Sequence, residues 1–260
     1  MKKPEQILNV LFPESVFSET IYNKLVKAIH EYHDQFKTNE NDYTHISILL
    51  DASSSMNDIK EFIVDGFNKF IKEQKELKCK LTISLSQFST KNISYKQIYF
   101  FKNIEDIKDL NYNDYKPEGM TSLNDSSVIM INETNTEIQR LKIKEELTPN
   151  KVLFVCLSDG DDNDSPLYGR INNNRGFNST DNSGKFKEII DTYTKIMGWE
   201  FSYIGANQNS KNAGAMRGMK ANATMDFMAT NIGVQSMFSN LSKSSMKYRK
   251  GADFNLQDKE

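Results

Sequence analysis

The chain reads as an α/β domain, a doubly wound and mostly parallel sheet with one antiparallel edge strand and helices on both faces. Three observations predict this. Short apolar runs rich in branched side chains occupy 45–50 and 152–157, and such runs suit strands buried on both faces. Beyond the first of them, apolar residues return three and four apart at Ile59, Phe62, Ile63, Phe67, Phe70 and Ile71, the spacing of a helix with one buried face. A β-rich run over 93–101 follows the strand at 81–85 after a turn at Ser89, Thr90, Lys91 and Asn92, and is most easily placed as the antiparallel edge.

Composition bounds the rest. At 260 residues the chain suits one large domain with a small extension. We divide it into an N-terminal extension over 1–42, a domain over 43–248 and a tail over 249–260. Lys and Arg total 33 against 35 Asp and Glu, a net charge of −2, which argues against nucleic-acid binding driven by charge. No apolar stretch has the length of a membrane span. The apolar run at 7–12, broken by Asn9 and closed by Pro13, is too short for a secretory signal. Two cysteines, Cys79 and Cys156, are too few for a disulfide framework. They are expected as buried free thiols in a reducing compartment, hence a cytoplasmic location. The preference for Asn and Lys over Arg fits an AT-rich bacterial or bacteriophage genome.

Taken in order, residues 16–38 carry an apolar stripe of Phe17, Ile21, Leu25, Ile29 and Phe36 over a charged reverse face. That is the pattern of an added amphipathic helix, packed on the domain or docking a partner. His30 and His33 lie three apart on it, but no carboxylate or cysteine stands at ligand spacing beside them. The strand at 45–50 ends at Asp51 and breaks at once into Ala52, Ser53, Ser54 and Ser55 before the first core helix. At the next strand Leu81, Ile83 and Leu85 alternate with Thr82, Ser84 and Ser86, as in a half-covered strand. A short helix is expected over 104–110, then a loop punctuated by Pro117 and Gly119. A long helical pattern over 123–147 is ended by Pro149.

The strand at 152–157 runs into Ser158, Asp159 and Gly160 and then into a loop over 160–185, rich in Asp, Asn and Gly. It leaves the sheet at the edge that carries Asp51 and should overhang it as a flexible, partner-specific lid. Asp159, Asp161 and Asn163 faintly resemble a calcium loop, but Arg170 stands where the closing glutamate belongs. A helix over 186–197, strands over 199–204 and 223–228, and a helix over 234–248 complete the domain. Lys243, Lys247, Arg249 and Lys250 read as a solvated helix face. Met216, Met219, Met225, Met228, Met237 and Met246 read as core fillers.

Asp51, Ser53 and Ser55 thus fall on a strand-to-helix loop at the carboxyl edge of the sheet, where open α/β sheets bind ligands. One carboxylate and two hydroxyls at alternate positions can turn toward one point, and a hard cation such as Mg²⁺ takes oxygen donors. Three are too few, so further ligands must come from elsewhere, and Thr121 and Asp159 are placed to supply them. The set Asp51-x-Ser53-x-Ser55, with Thr121 and with Asp159 in an Asp-Gly context, resembles the metal-ion-dependent adhesion site of the von Willebrand factor A family, over roughly 43–248. The resemblance implies that family's Rossmann-like fold. It also implies Ser53, Ser55 and Thr121 as direct ligands, with Asp51 and Asp159 acting largely through bound water. The implied cation is Mg²⁺ or Mn²⁺, with Ca²⁺ a further candidate, and an Asp or Glu of a partner protein completes the shell. The implied type is stand-alone, bacterial or bacteriophage; the segment 199–208 is similar to one found in such proteins.

A metal-dependent protein-binding module is therefore the expected function. An enzyme is not expected. Asp51 would suit a phosphate-accepting nucleophile only with a second carboxylate two residues on, where Ser53 stands. No Gly-x-Ser-x-Gly, His-Glu-x-x-His or glycine-rich phosphate loop occurs, and no histidine lies near the motif to act as a base. The remaining alternative is a structural or assembly protein, such as a virion component, with a vestigial metal site and with the extension and the 160–185 loop as its contacts.

Overall fold

The computed structural model describes residues 43–90, 95–159, 162–168, 183–206 and 209–257. The expected extension helix with His30 and His33, Asp161, and most of the expected lid lie outside the described residues. Six strands form one sheet: β1 (Tyr43–Asp51), β2 (Lys80–Phe88), β3 (Tyr95–Asn103), β4 (Lys151–Ser158), β5 (Glu200–Ala206) and β6 (Thr224–Phe227). Their order is β3-β2-β1-β4-β5-β6, with β3 antiparallel to β2 and every other pair parallel. This is the sheet the sequence predicts. β1 lies inside it, buried at all nine positions, because both its neighbours and both its faces are covered.

The helices are α1 (Lys60–Lys75), α2 (Leu123–Ile143), α3 (Ser183–Ile196), α4 (Ser210–Met216) and α5 (Asn231–Arg249). Period-two alternation splits the strands between two cores. Ile46, Ile48 and Leu50 of β1 and Leu153, Val155 and Leu157 of β4 pack with Ile63, Phe67 and Phe70 of α1 and with Met237, Phe238 and Leu241 of α5. Leu49, Phe154 and Cys156 pack instead with Ile131 and Ile138 of α2 and Phe186 and Ile190 of α3. The α1–α5 contact is close enough that a Cβ on Gly66 would lie 2.1 Å from the Phe238 ring. No helix among the described residues is long and apolar enough to cross a membrane.

Several local expectations change. β2 is covered on both faces, not one, and its polar positions are paired with the neighbouring strands, Thr82 with His45 of β1 and Ser86 with Tyr95 of β3. The helix expected at 104–110 is a single 3-10 turn, Ile104–Asp106. Beyond it the chain stays extended because Asn68 of α1 captures both the N–H and the carbonyl of Leu110, at 2.9 Å each. α2 stops at Ile143, since Glu145 adopts a left-handed φ of 55° and its neighbour Glu146 bonds back to Leu141. Cys79 lies in the turn before β2 and is half-buried, whereas Cys156 is buried; both are free. Met216 and Met228 are 62% and 64% exposed, so they fill no core.

The largest correction is Arg249. It is fully buried, not on a solvated face. Its guanidinium donates to the carbonyls of Gln74, Leu77 and Cys79 at 2.8, 3.1 and 2.8 Å, taking up an orphan acceptor in the last turn of α1 and two more in the segment that leads to β2. The segment after it also packs: Phe254 and Leu256 are buried, and Leu256 N–H donates to the carbonyl of Asn222.

Candidate metal centre

The site is built where β1 ends. Leu50 of β1 pairs with Leu157 of β4, so the next step of the register sets Asp51 beside Ser158 on the same sheet face. Ser158 Oγ donates to Asp51 Oδ2 at 2.5 Å, and the backbone N–H of Ser53 donates to Asp51 Oδ1 at 2.7 Å. Tyr115 donates its hydroxyl to the Asp51 carbonyl. From Asp51 the chain enters a 3-10 turn, Ser54–Ile59, before α1. Two backbone bonds stitch this turn to the loop that delivers Thr121. Glu118 N–H donates to Ala52 O at 2.7 Å, and Ser54 N–H to Gly119 O at 3.1 Å. Gly119 makes that approach with a left-handed φ of 82°, which a side chain would strain.

Of the five side chains singled out from the sequence, four form one hydrogen-bonded run. Asp51 holds Ser53 by its N–H, Ser53 Oγ lies 3.1 Å from Ser55 Oγ, and Ser55 Oγ donates to Asp159 Oδ1 at 2.7 Å. Asp51 and Ser53 are buried, Asp159 is half-buried and Ser55 is exposed, so the run opens to the surface at one end. Thr121 is 3% exposed and is held by its backbone: its N–H donates to Asn163 Oδ1 and its carbonyl accepts from Asn163 and Asp164 N–H. Among the described residues its hydroxyl makes no hydrogen bond to either serine. Gly119, two residues upstream of Thr121, is bonded to Ser54, which ties the Thr121 loop to the serine turn by its backbone.

Electrostatically the run is short of positive charge. Burial pushes the Asp51 carboxyl up to about 6, helped by the nearby Asp159 charge and opposed by Ser158 and Ser53. Burial also raises Asp159, against the hydroxyl of Ser55. Among the described residues both charges are therefore held by neutral donors. The run brings together two carboxylates and two hydroxyls, oxygen donors of the kind a hard cation of the Mg²⁺ class takes. Among the described residues no three His, Cys, Asp or Glu side chains gather, so the set does not suit a zinc-type site.

Sequence reasoning missed four supporting residues. Ser158 and Tyr115 fix Asp51 from two sides. Asn163 ties down Thr121, and Asp162 accepts from Leu123 N–H at 3.0 Å, an anchor for the start of α2. Of the calcium-loop spacing Asp159, Asp161 and Asn163, Asn163 is thus engaged by the Thr121 backbone and Asp159 by Ser55, while Asp161 lies outside the described residues. Ser158 had a legible signal: it shares a strand face with the residue paired to it in β1. Tyr115 had none, because nothing in the sequence brings 115 to the end of β1.

No family model matches the chain, and no curated protein matches it. Among solved structures, the pilus adhesin SpaC from Lactobacillus rhamnosus GG superposes with a TM-score of 0.55 at 12% identity, over 81% of this chain and 31% of that one. In its open conformation the values are 0.53 and 15%, over 84% and 31%. A von Willebrand factor type A protein from Catenulispora acidiphila gives 0.49 at 10%, over 78% and 43%. The chain thus spans less than half the length of these proteins. At such identities the likeness concerns the fold alone, the mostly parallel six-stranded α/β sheet of this chain superposing on part of the adhesin.

Proposed function

We propose that the chain is a protein-binding module that captures an Asp or Glu of a partner through a divalent cation, Mg²⁺ or Mn²⁺. Ser53, Ser55 and Thr121 would be the direct ligands, and Asp51 and Asp159 would act through bound water. When bound, the cation supplies an electrophilic position open to a carboxylate, little neutralised because its direct protein ligands are uncharged hydroxyls. The observation that carries the reading is the run from Asp51 through Ser53 and Ser55 to Asp159, buried at Asp51 and Ser53 and open to the surface at Ser55. The buried end fixes the donors; the exposed end meets the partner. That a protein of the same fold is named a pilus adhesin agrees with a surface used for attachment.

A catalytic use has less support. His45, the histidine among the described residues, is fully buried and sits six residues before Asp51, about 20 Å along the strand. Calorimetric titration of Mg²⁺ and Mn²⁺ into chelator-stripped protein tests the reading. It is followed by binding to immobilised Glu-bearing peptides, with their Gln counterparts as controls, in the presence and absence of EDTA. The expected result is one cation per chain and Glu-selective, EDTA-sensitive binding. Absence of cation uptake, or binding that ignores EDTA, would overturn it.

A further inference from the structure

We propose that Ser158 is a positioning residue for this centre, whose hydroxyl sets the orientation in which Asp51 faces Ser53 and Ser55. The inference rests on the metal-capture reading above and deepens it. Both oxygens of Asp51 are engaged, Oδ1 by the Ser53 N–H and Oδ2 by Ser158 Oγ. The carboxylate is fully buried, so it cannot rotate without leaving a donor unpaired away from water. The two holds differ in kind. Ser53 lies on the loop that leads into the 3-10 turn, whereas Ser158 closes β4, a strand bonded to β1 on one side and β5 on the other. A carboxylate aimed from a strand is held more sharply than one aimed from a loop. Tyr115 pins the Asp51 carbonyl, so backbone and side chain are fixed independently.

The contrary reading is that Ser158 only satisfies a buried acid and matters for stability alone. Ser158→Thr and Ser158→Val separate the two, because they add the same methyl and differ in the hydroxyl. Mg²⁺ affinity is measured by calorimetry and apo Tm in chelator for both variants and wild type. Ser158→Thr is expected to bind Mg²⁺ like wild type and Ser158→Val roughly 10- to 100-fold more weakly, the range seen when a ligand's supporting hydrogen bond is lost. Ser158→Ala takes the place of Ser158→Val if the latter does not fold. Equal Mg²⁺ affinity in the hydroxyl-bearing and hydroxyl-free variants overturns this inference while leaving metal capture standing. Failure of wild type to take up Mg²⁺ or Mn²⁺ overturns both.

Discussion

Two hydroxyl-rich clusters sit at opposite ends of β1, and they are resolved in opposite ways. At the start of the strand, His45 Nδ1 meets Thr82 Oγ1 at 2.9 Å and Nε2 meets Ser47 Oγ at 3.0 Å. Tyr43 and Thr134 extend the chain of bonds at 3.0 Å each, and Phe101 stacks on the imidazole at 3.7 Å between centroids. Burial pushes His45 down to about 3, so the ring is neutral and both nitrogens are satisfied. That cluster is closed. At the far end the hydroxyls flank two carboxylates, and among the described residues no cationic group opposes the burial of either. The same residue types make a closed core in one place and, on the proposed reading, a docking point in the other, and the difference is the uncompensated charge.

The largest effect should come from breaking the open cluster. Asp51→Ala is expected to weaken Mg²⁺ binding by roughly a hundredfold or more and to erase the Mg²⁺-induced rise in Tm. His45→Gln should leave Mg²⁺ affinity where it is. A Tm rise that survives in Asp51→Ala would show that the cation binds elsewhere. The closed cluster should fail differently. His45→Leu strips a partner from Thr82 and from Ser47 inside the core, at an expected loss of about 2–4 kcal/mol in urea unfolding, again without moving Mg²⁺ affinity. A loss below about 1 kcal/mol would mean that those hydroxyls simply re-pair.

The two ends were unequally legible in the sequence. Asp51, Ser53 and Ser55 announce themselves by spacing after an apolar run, and Asp159 by following the next one; the register then brings them together. His45 and Ser47 sit inside that same apolar run, where period-two alternation puts them on the α2 face of β1. Their partners Thr82 and Thr134 come from β2 and α2, and no local pattern joins residues so far apart. Arg249 failed for the same reason. On its own helix it continues a basic face, and only the packing of α5 against α1 brings it to the carbonyls it caps. Patterns within an element were readable; partnerships between elements were not.

The contrast also makes a pH prediction. In the apo protein His45 is lowered from its ordinary 6.5 to about 3, so the native state binds fewer protons than the unfolded chain below pH 6.5, and this term destabilises as pH falls. Asp51 is raised from 3.8 to about 6, so the native state binds more protons than the unfolded chain between those values, and this term stabilises as pH falls through the same window. The two oppose each other between about pH 6 and 4. On the metal-capture reading Mg²⁺ needs the Asp51 carboxylate, so protonation competes with it. The gap between Mg²⁺-saturated and apo Tm should therefore shrink as pH falls from 7 through about 6 toward 4. A gap that stays constant over that range would show that Asp51 does not serve the cation.

The smallest effect tests whether the open cluster is strained by its own charges. Asp159→Asn keeps an oxygen to accept the 2.7 Å bond from Ser55 and removes a charge that raises Asp51. Without cation, the variant should match wild type or gain up to about 1 kcal/mol in chemical unfolding, since it trades a half-buried charge for a neutral acceptor. With cation it should lose ground, because wild type gains stabilisation that the variant cannot. An apo loss well above about 1 kcal/mol would give Asp159 a structural job of its own and make the open cluster a core like the closed one. The sign of that one measurement, taken in chelator, separates a site held ready for a cation from a polar knot that already holds itself together.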